Sequence, residues 1–427
     1  MLRNLIRILS SHSNLRSHFW QTSANYTQTA GGMLLGIVLA RMLGPAVFGE
    51  YVLITSIILV LLTPLSFSPA QLLVSDRGRT PQLFERVMGV TWLFTGGKLI
   101  ILLGFVVWAL SRNNLQAAAV GLLVGLPAAL SDWTNVIKSD LEGSGLFRPN
   151  FIVQIVQVST HACVTIGLVW AGWGIYGLAV GGFVSFLPSA AVYLALTERR
   201  VTQGKLNTRI FFDQLRSGFW LWLGSVSATW FSRVDKLLLG HWGGDTQLGL
   251  YNRATNYGPV SHIALNSLMT NATVQALAGK ETLAEKKGLF FRTMGIVLVG
   301  GIANGFFWWI LAERLVPLIF GEQWRDAIPA FQILGWLGIP YLFVYGSSTV
   351  LLAEKKFAAY AIIQFFGLLL LTASLLGVSK FTSIDSLTTS LVFVFSMACC
   401  GALMTAMAVR LLFFPQPAGF PTARDPL

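Results

Sequence analysis

The most informative residues of this sequence are charged side chains within long apolar stretches. Arg233 and Lys236 are three residues apart and therefore on one face of a helix, where together they could hold an anion such as a phosphate. Asp235 lies between them and could tune these cations or carry a coupling ion. Arg253 follows near the start of the next apolar stretch. The alternative is a structural salt-bridge cluster near the end of a helix.

Lys98 lies near the middle of an apolar stretch bounded by Arg86 and Arg112. At a rise of about 1.5 Å per residue, it would be about 15 Å or more from either end of a helix. An ammonium group exposed to lipid at that depth costs several kcal/mol, so Lys98 should face a partner or a cavity. We expect it either to bind an anion or to form a structural ion pair, for which Asp132 in the next stretch is the candidate.

Arg41 stands at the end of its apolar stretch. It could contribute to the same anion site, or it could extend its side chain to the membrane surface. The position alone leaves both interpretations open.

Three of the apolar stretches carry polar residues at helical spacing, so that each has one polar face. The members of these faces are Gln21, Asn25, Gln28, Gly32 and Gly36; Ser225, Thr229, Arg233, Lys236 and Gly240; and Thr255, His262, Asn266, Thr270 and Thr273. Such faces can join helices by hydrogen bonds and close packing. Because they occur at corresponding places in both halves of the chain, they also suggest a wet cavity between the halves, with Asn25, Gln28 and Asn266 among its polar lining.

The composition defines the elements that must position these residues. Of 427 residues, 54% are hydrophobic and only 11% charged, and the mean hydropathy is +0.65. Soluble domains carry roughly 25% charged residues, so the chain is predicted to be a multi-pass membrane protein. Its apolar runs are continuous rather than alternating, which indicates helices and not a barrel. The net charge of +12 lies mostly in alternate loops, which excludes a nucleic-acid patch.

We predict about twelve membrane-spanning helices. They cover residues 19–42, 47–74, 84–110, 115–141, 150–171, 175–196, 211–240, 248–277, 289–311, 327–352, 357–378 and 391–414. Lysine and arginine are concentrated in the loops on the side of the N-terminus, which predicts that both termini are cytoplasmic.

An internal repeat organises the chain. Gly44, Gly49 and Tyr51 return as Gly244, Gly249 and Tyr251, each time at a predicted helix–turn–helix corner. A second series preserves its spacing as well, with Phe147, Ile152 and Gln154 matched by Phe357, Ile362 and Gln364. We therefore predict two six-helix bundles, residues 1–200 and 201–427, joined by the basic segment 197–209. Because six is an even number, the halves would form a parallel repeat.

Motifs typical of catalysis do not occur in the sequence. It contains neither a phosphate-binding Gly-rich loop followed by Lys-Ser or Lys-Thr nor a His-Glu-x-x-His motif. His161 and His262 are isolated within apolar stretches and are interpreted as hydrogen-bonding residues between helices. The sequence therefore predicts a transporter rather than an enzyme, with no cofactor.

Five segments resemble the polysaccharide transporter family, the Wzx-type flippases within the superfamily that includes multidrug and lipid II exporters. They are LARMLGPAVFGEY at 39–51, RVDKLLLGHWGGDTQLGLYNRA at 233–254, LEGSGLFRPNFIVQ at 141–154, GWGIYGLAVG at 172–181 and IFGEQWRDAIPAFQILGW at 319–336. The resemblance implies two six-helix bundles around a central cavity that alternately opens to either side of the membrane. It also carries the family's cationic cavity residues onto Arg41, Arg233, Lys236 and Arg253.

The same resemblance implies a substrate, an undecaprenyl-pyrophosphate-linked oligosaccharide moved from the cytoplasmic to the periplasmic leaflet of the bacterial inner membrane. The product would supply O-antigen, capsule or exopolysaccharide synthesis, with a polysaccharide polymerase and chain-length machinery as further partners. Coupling to protons, sodium ions or the membrane potential is left open. Two alternatives remain, a cation-coupled multidrug antiporter of the same superfamily and a non-transport scaffold of a glycan assembly complex.

Overall fold

The computed structural model describes residues 13–66, 81–143, 147–196, 208–259, 283–354 and 356–413. Within these ranges the chain is helical and contains no β-strand. The first half contains α1 Ser13–Met42, α2 Pro45–Leu62, α3 Pro81–Ser111, α4 Leu115–Gly143, α5 Phe147–Trp170 and α6 Gly174–Leu196. The second half contains α7 Thr208–Trp242, α8 Gly244–Tyr257, α9 Leu283–Phe320, α10 Ile328–Leu334, α11 Gly338–Ala353, α12 Phe357–Val378 and α13 Ser386–Phe413.

Nine helical stretches in the described ranges are long and apolar enough to cross a membrane. Three helices, α1, α7 and α8, fall outside that set. The first two carry the polar faces seen in the sequence, and α8 is described for only 14 residues. Nine stretches and these three helices together account for the predicted spans.

The tenth predicted span, residues 327–352, lies within one of these nine stretches, Glu322–Leu352, but it is interrupted rather than one continuous helix. A 3-10 turn at Glu322–Ala327 leads into the short helix α10, and a second 3-10 turn at Gly335–Leu337 separates α10 from α11. Gly335 begins that second turn and Gly338 follows it, and Pro340 lies in the first turn of α11. Glycine and proline weaken a regular helix, and the tighter 3-10 geometry takes over at this point.

The two halves repeat one another in the way their helices pair. In the first half α1 packs on α5, and α4 packs on α6. In the second half α7 packs on α12, and α11 packs on α13. These are the pairs expected if the second half repeats the first. The predicted boundary at residues 200 and 201 lies outside the described residues and stays a prediction.

The repeated corners pack against each other where the halves meet. Residues Met42 to Pro45 join α1 to α2, and Trp242 to Gly244 join α7 to α8; we call the end of the molecule that holds both turns the corner end. A Cβ atom at Gly49 would collide with the backbone of Asp245, and one at Gly249 would collide with the backbone of Pro45. Since these contacts are equivalent, the interface has an approximate two-fold relationship.

One apolar core crosses this interface. It includes Leu39 and Phe48 from the first half and Tyr251, Trp324 and Phe331 from the second. Glycine at positions 49 and 249 brings α2 and α8 close enough for these large side chains to form a continuous layer. The corner end is therefore closed in this conformation.

Candidate functional site

Helix α1 exposes two opposite faces of different character. Tyr26, Leu34 and Val38 are 36%, 65% and 40% exposed and form an apolar face. Asn25 and Gln28 are also exposed, and at about 100° per residue they lie on the opposite side of the helix. An apolar face suits lipid, whereas a polar one requires water or a polar ligand. The polar face of α1 therefore borders a volume inside the protein.

Gly36 shows what this polar face is directed toward. It continues the row formed by Asn25, Gln28 and Gly32, and a Cβ atom there would collide with Tyr257 Oη and Arg253 Nη1 of α8. Tyr257 Oη also donates a 2.8 Å hydrogen bond to the Met33 carbonyl of α1. At Gly36 the row meets the other half of the molecule, and Arg253 lies at this corner end of the row.

Arg253 is a buried cation without an acidic partner among the described residues. Only 4% of the residue is exposed, and its guanidinium carbon lies 3.6 Å from the centre of the Phe48 ring. The rings of Trp324 and Tyr257 are 5.4 Å and 5.9 Å away. Its Nε and Nη2 atoms have no hydrogen-bond partner in the described part of the chain.

This arrangement has a chemical consequence. Aromatic faces attract a guanidinium and partly compensate for its lost hydration. The Tyr257 side chain also hydrogen-bonds to Arg253, but Nε and Nη2 have no acceptor within the described residues. Two of the guanidinium nitrogens therefore still have donors to offer. Arg253 is thus an anchored cation that can bind an anion such as a phosphate.

Lys236 and Asp235 form a local cluster with Tyr251. The Tyr251 hydroxyl donates a 2.6 Å hydrogen bond to Asp235 Oδ2, and Lys236 Nζ lies 3.5 Å from the same oxygen. Lys236 also donates to the Ser232 carbonyl at 2.8 Å. The structure thus forms the salt bridge of the alternative interpretation, and a phosphate-binding role for Lys236 stays a prediction.

Arg233 lies one helical turn before Lys236 on α7 and is only partly buried. Its Nε atom is buried without a hydrogen-bond partner in the described residues. Of the two cations that the sequence places on one face, Arg233 is the one that retains an unsatisfied donor.

Lys98 is paired with Asp132, the partner that the sequence suggests. Lys98 Nζ lies 2.7 Å from Asp132 Oδ2, and the two side chains are 2% and 10% exposed. The pair joins α3 to α4 inside the first half. In this conformation the ammonium group is not accessible to a ligand. Its predicted role in anion binding would require the ion pair to open.

Arg41 binds the end of a helix in the other half. Its Nε donates to the Ile319 carbonyl at 2.9 Å, and its Nη2 donates to the Leu318 carbonyl. These carbonyls belong to the last turn of α9, where a cation also offsets the negative end of the helix dipole. Arg41 thus links the two halves at the corner end.

A polar pocket between α1 and α5 contains residues that the sequence analysis did not group together. The cavity has a volume of about 230 Å³ and is lined by Gln28, Gln154, Gln157 and His161, together with Gly31, Gly32, Leu35 and Val158. The signal in the sequence was the spacing of Gln154, Gln157 and His161, which gives α5 a polar face. Asn25 lies one turn before Gln28 on the same exposed face, and Asn266 is outside the described residues.

Comparison with known protein families identifies the family of this chain. The family model described as "Polysaccharide biosynthesis protein" matches residues 38–329, which is more than half of the chain. The chain belongs to this family. The resemblance seen in its corner motifs is thereby confirmed.

Two curated relatives of this family member are similar over part of its length. The chain is 29% identical to the lipopolysaccharide biosynthesis protein WzxC of Escherichia coli K12 over 126 residues, which are 29% of this chain and 26% of the relative. It is 25% identical to the teichuronic acid biosynthesis protein TuaB of Bacillus subtilis 168 over 162 residues, which are 36% of this chain and 31% of the relative. The similar segments thus span about a quarter to a third of these relatives.

Solved structures confirm the predicted fold class, an all-α membrane protein of two six-helix bundles. An inward-facing multidrug resistance transporter of the MATE family superposes with a TM-score of 0.69 at 15% identity, covering 93% of this chain and 98% of that one. A MOP superfamily transporter from Pyrococcus furiosus gives a TM-score of 0.66 at 13% identity and covers 96% and 98%. At such low identity these similarities establish the fold alone.

Proposed function

We propose that this protein is a flippase that moves a polyprenyl-pyrophosphate-linked oligosaccharide from the cytoplasmic to the periplasmic leaflet of the bacterial inner membrane. The observation that carries this proposal is the buried guanidinium of Arg253, which has no acidic partner among the described residues and is located where the polar face of α1 meets the second half. Membership in a polysaccharide biosynthesis family supports a glycan as the cargo.

The physical requirements of such a transfer fit the site. A pyrophosphate and its sugars must cross the hydrocarbon core, whereas a polyprenyl tail can remain in lipid. The protein must therefore supply fixed cations for the phosphates and a polar surface for the sugars. Arg253 and the unsatisfied Nε of Arg233 supply donors for an anion, and the polar face of α1 supplies the surface.

Transfer by alternating access requires each end of the cavity to open in turn. The corner end is closed by Arg41, Trp324 and the paired glycines, and we assign it to the periplasmic side, with both termini in the cytoplasm. The cavity would then receive substrate from the cytoplasmic leaflet in this conformation. Protons, sodium ions or the membrane potential supply the driving force in this scheme, and a polysaccharide polymerase with its chain-length machinery uses the product.

The experiment that tests the proposal measures the leaflet distribution of polyprenyl-linked sugar in cells. Cells that lack the protein should accumulate it on the cytoplasmic leaflet, and wild-type protein should restore transfer. Arg253→Met should fail to restore it, since methionine retains an apolar side chain against Phe48 but removes the charge. Arg325→Ala is the matched control, because Arg325 is exposed and pairs with Glu322 outside the cavity.

The multidrug antiporter of the same superfamily is the second candidate, supported by the fold. A buried, unpaired cation repels the cationic compounds that such antiporters would export. An even leaflet distribution in cells lacking the protein, combined with increased drug sensitivity, would favour this candidate over the flippase. A scaffold would tolerate Arg253→Met without loss of surface glycan.

A further inference from the structure

The pocket between α1 and α5 has the chemistry of a sugar site. Three amide side chains line it, those of Gln28, Gln154 and Gln157, with His161 beside them. An amide both donates and accepts hydrogen bonds, as a sugar hydroxyl does, so the two groups match each other in pairs. The described residues that line it include no carboxylate, lysine or arginine.

The pocket contains a buried hydrogen-bond acceptor without a partner among the described residues, and it is large enough for a ligand. The Gln154 Oε1 atom is buried and has no hydrogen-bond partner in the described part of the chain. Leaving a buried acceptor unsatisfied is costly, so such a group is expected to meet water or a ligand. The volume of about 230 Å³ is also far more than one water molecule needs, whose share of the liquid is about 30 Å³.

The pocket lies along the same helix face as the Arg253 site. Gln28 and Gly32 lie on the polar face of α1 that ends with Gly36 beside Arg253. Gln28 is two turns from Gly36, which is about 12 Å along the helix. A ligand whose phosphate is held at Arg253 can therefore place attached groups along α1 at the pocket.

The second half of the molecule provides an internal comparison. If α7 repeats α1 and α12 repeats α5, Gln154 corresponds to Gln364, whereas Gln28, Gln157 and His161 correspond to Ala228, Gly367 and Leu371. There the space is filled, because Leu371 is fully buried and a Cβ atom at Gly367 would lie 3.2 Å from Cys400 Sγ and 3.5 Å from the Phe231 ring.

The charges follow the opposite distribution between the halves. The residues of α1 that correspond to Arg233, Asp235 and Lys236 are Met33, Leu35 and Gly36. Three amides cluster in the first half, whereas the second half keeps only Gln364 of them and carries the charged cluster instead. A division of this kind is not required for packing, since either half demonstrates a packed arrangement without most of the other's polar groups.

We propose that the pocket formed by Gln28, Gln154, Gln157 and His161 is a binding subsite for the uncharged, hydroxyl-bearing sugars of the transported lipid, separate from the cationic site for its phosphates. This inference rests on the proposed function, because it names the part of the flippase substrate that the first half recognises. The amides exchange their hydrogen bonds to water for bonds to sugar hydroxyls. The guanidinium of Arg253 holds the phosphate end.

The test compares two lipids on purified full-length protein in detergent. One is undecaprenyl pyrophosphate without sugar, and the other is the polyprenyl-linked oligosaccharide extracted from cells that lack the protein. The variant is Gln28→Leu/Gln157→Leu, which retains side-chain volume and removes two amides. Gln332→Leu is the matched control, because Gln332 is only partly buried and lies on α10 outside the pocket.

We expect the double variant to bind the glycan-bearing lipid about tenfold more weakly, as follows from the loss of two modest hydrogen bonds. Binding of undecaprenyl pyrophosphate should be unchanged, and Gln332→Leu should bind both lipids as the wild type does. An equal loss for both lipids would assign the pocket a merely structural role and overturn the inference. Unchanged binding of both lipids would also overturn it.

The results that would reject the flippase function differ from those that would reject only the sugar subsite. If wild-type protein binds neither lipid and no glycan-bearing lipid accumulates in cells lacking it, the flippase proposal itself fails. If the wild type binds the glycan-bearing lipid and the double variant binds it equally well, only the sugar subsite fails.

Discussion

Gly49 of α2 packs directly on the backbone of Asp245, the second residue of α8 in the opposite half. Gly249 of α8 packs in the equivalent way on the backbone of Pro45. The two contacts explain why the corner motif occurs twice. Each copy supplies the glycine that lets the start of the other copy's helix approach, and the contact between the halves needs both.

The glycine contacts predict a position-dependent effect of one methyl group. Gly49→Ala and Gly249→Ala should each destabilise the protein by about 1–3 kcal/mol, because the added Cβ meets backbone atoms that cannot rotate away. The matched control is Gly182→Ala on α6, where no atom lies within 4 Å of the added Cβ. Thermal unfolding in detergent provides the measurement. If all three variants melt alike, the close approach of α2 and α8 does not limit stability.

The ion pair between Lys98 and Asp132 predicts strong non-additivity. Lys98→Met alone should destabilise the fold by about 3–5 kcal/mol, because it leaves the Asp132 carboxylate buried without its partner. The double variant Lys98→Met/Asp132→Leu should recover most of that stability.

Transport by the same double variant separates the two roles considered for Lys98. A double variant that is stable and still restores glycan export assigns the pair to structure alone. A double variant that is stable but inactive supports the prediction that Lys98 or Asp132 takes part in binding or coupling. Surface glycan measured at matched protein levels distinguishes these outcomes.

Much of the fold could be predicted from the sequence, because it depends on local patterns. Continuous apolar runs specify membrane helices, and the recurrence of Gly44, Gly49 and Tyr51 specifies the duplication. The break between α10 and α11 was missed, since glycine and proline are common in membrane helices and do not by themselves indicate where a helix ends.

The site was harder to predict because its contacts join distant parts of the chain. Depth alone identified Lys98 as needing a partner. Asp132 was the candidate, because the other acidic residue of the next span, Asp140, lies at that span's end. In contrast, Gln28 and His161 are far apart in sequence, and nothing in the sequence around either residue indicates that they line the same pocket. Spacing can assign residues to one face of a helix, but it cannot show which helix that face meets.

The hydrogen bond from the Tyr251 hydroxyl to the buried Asp235 carboxylate should stabilise the fold. Tyr251→Phe removes the donor of a 2.6 Å hydrogen bond while it retains the ring. Asp235 would then keep the more distant Lys236 ammonium, 3.5 Å away, and the backbone amide of the same residue. We expect a loss of about 1–3 kcal/mol in stability.

The control for this prediction is Tyr176→Phe on α6, since no hydrogen bond of the Tyr176 hydroxyl occurs within the described residues. Thermal unfolding of both variants should show a lowered midpoint for Tyr251→Phe alone. Equal midpoints for Tyr251→Phe and the wild type would mean that water replaces the hydroxyl, and that the Asp235 cluster is wetter than its burial indicates.

Arg41 should hold the corner end closed. Its guanidinium binds the Leu318 and Ile319 carbonyls across the interface between the halves, and the Trp324 indole donates to the Ala40 carbonyl at 2.8 Å beside it. Arg41→Ala removes two charge-assisted hydrogen bonds that cross this interface in the closed conformation. The variant should therefore shift the population toward the conformation that is open at this end, by about tenfold for each 1.4 kcal/mol lost.

Labelling of a cysteine introduced at Leu43 measures that shift. Leu43 is 9% exposed in the closed corner end, so a membrane-impermeant maleimide added from the periplasmic side should react slowly with Leu43→Cys. Adding Arg41→Ala should accelerate the reaction, while Arg325→Ala, which breaks only an exposed ion pair, should not. An unchanged rate with Arg41→Ala would show that the glycine contacts and the apolar core close this end without the arginine.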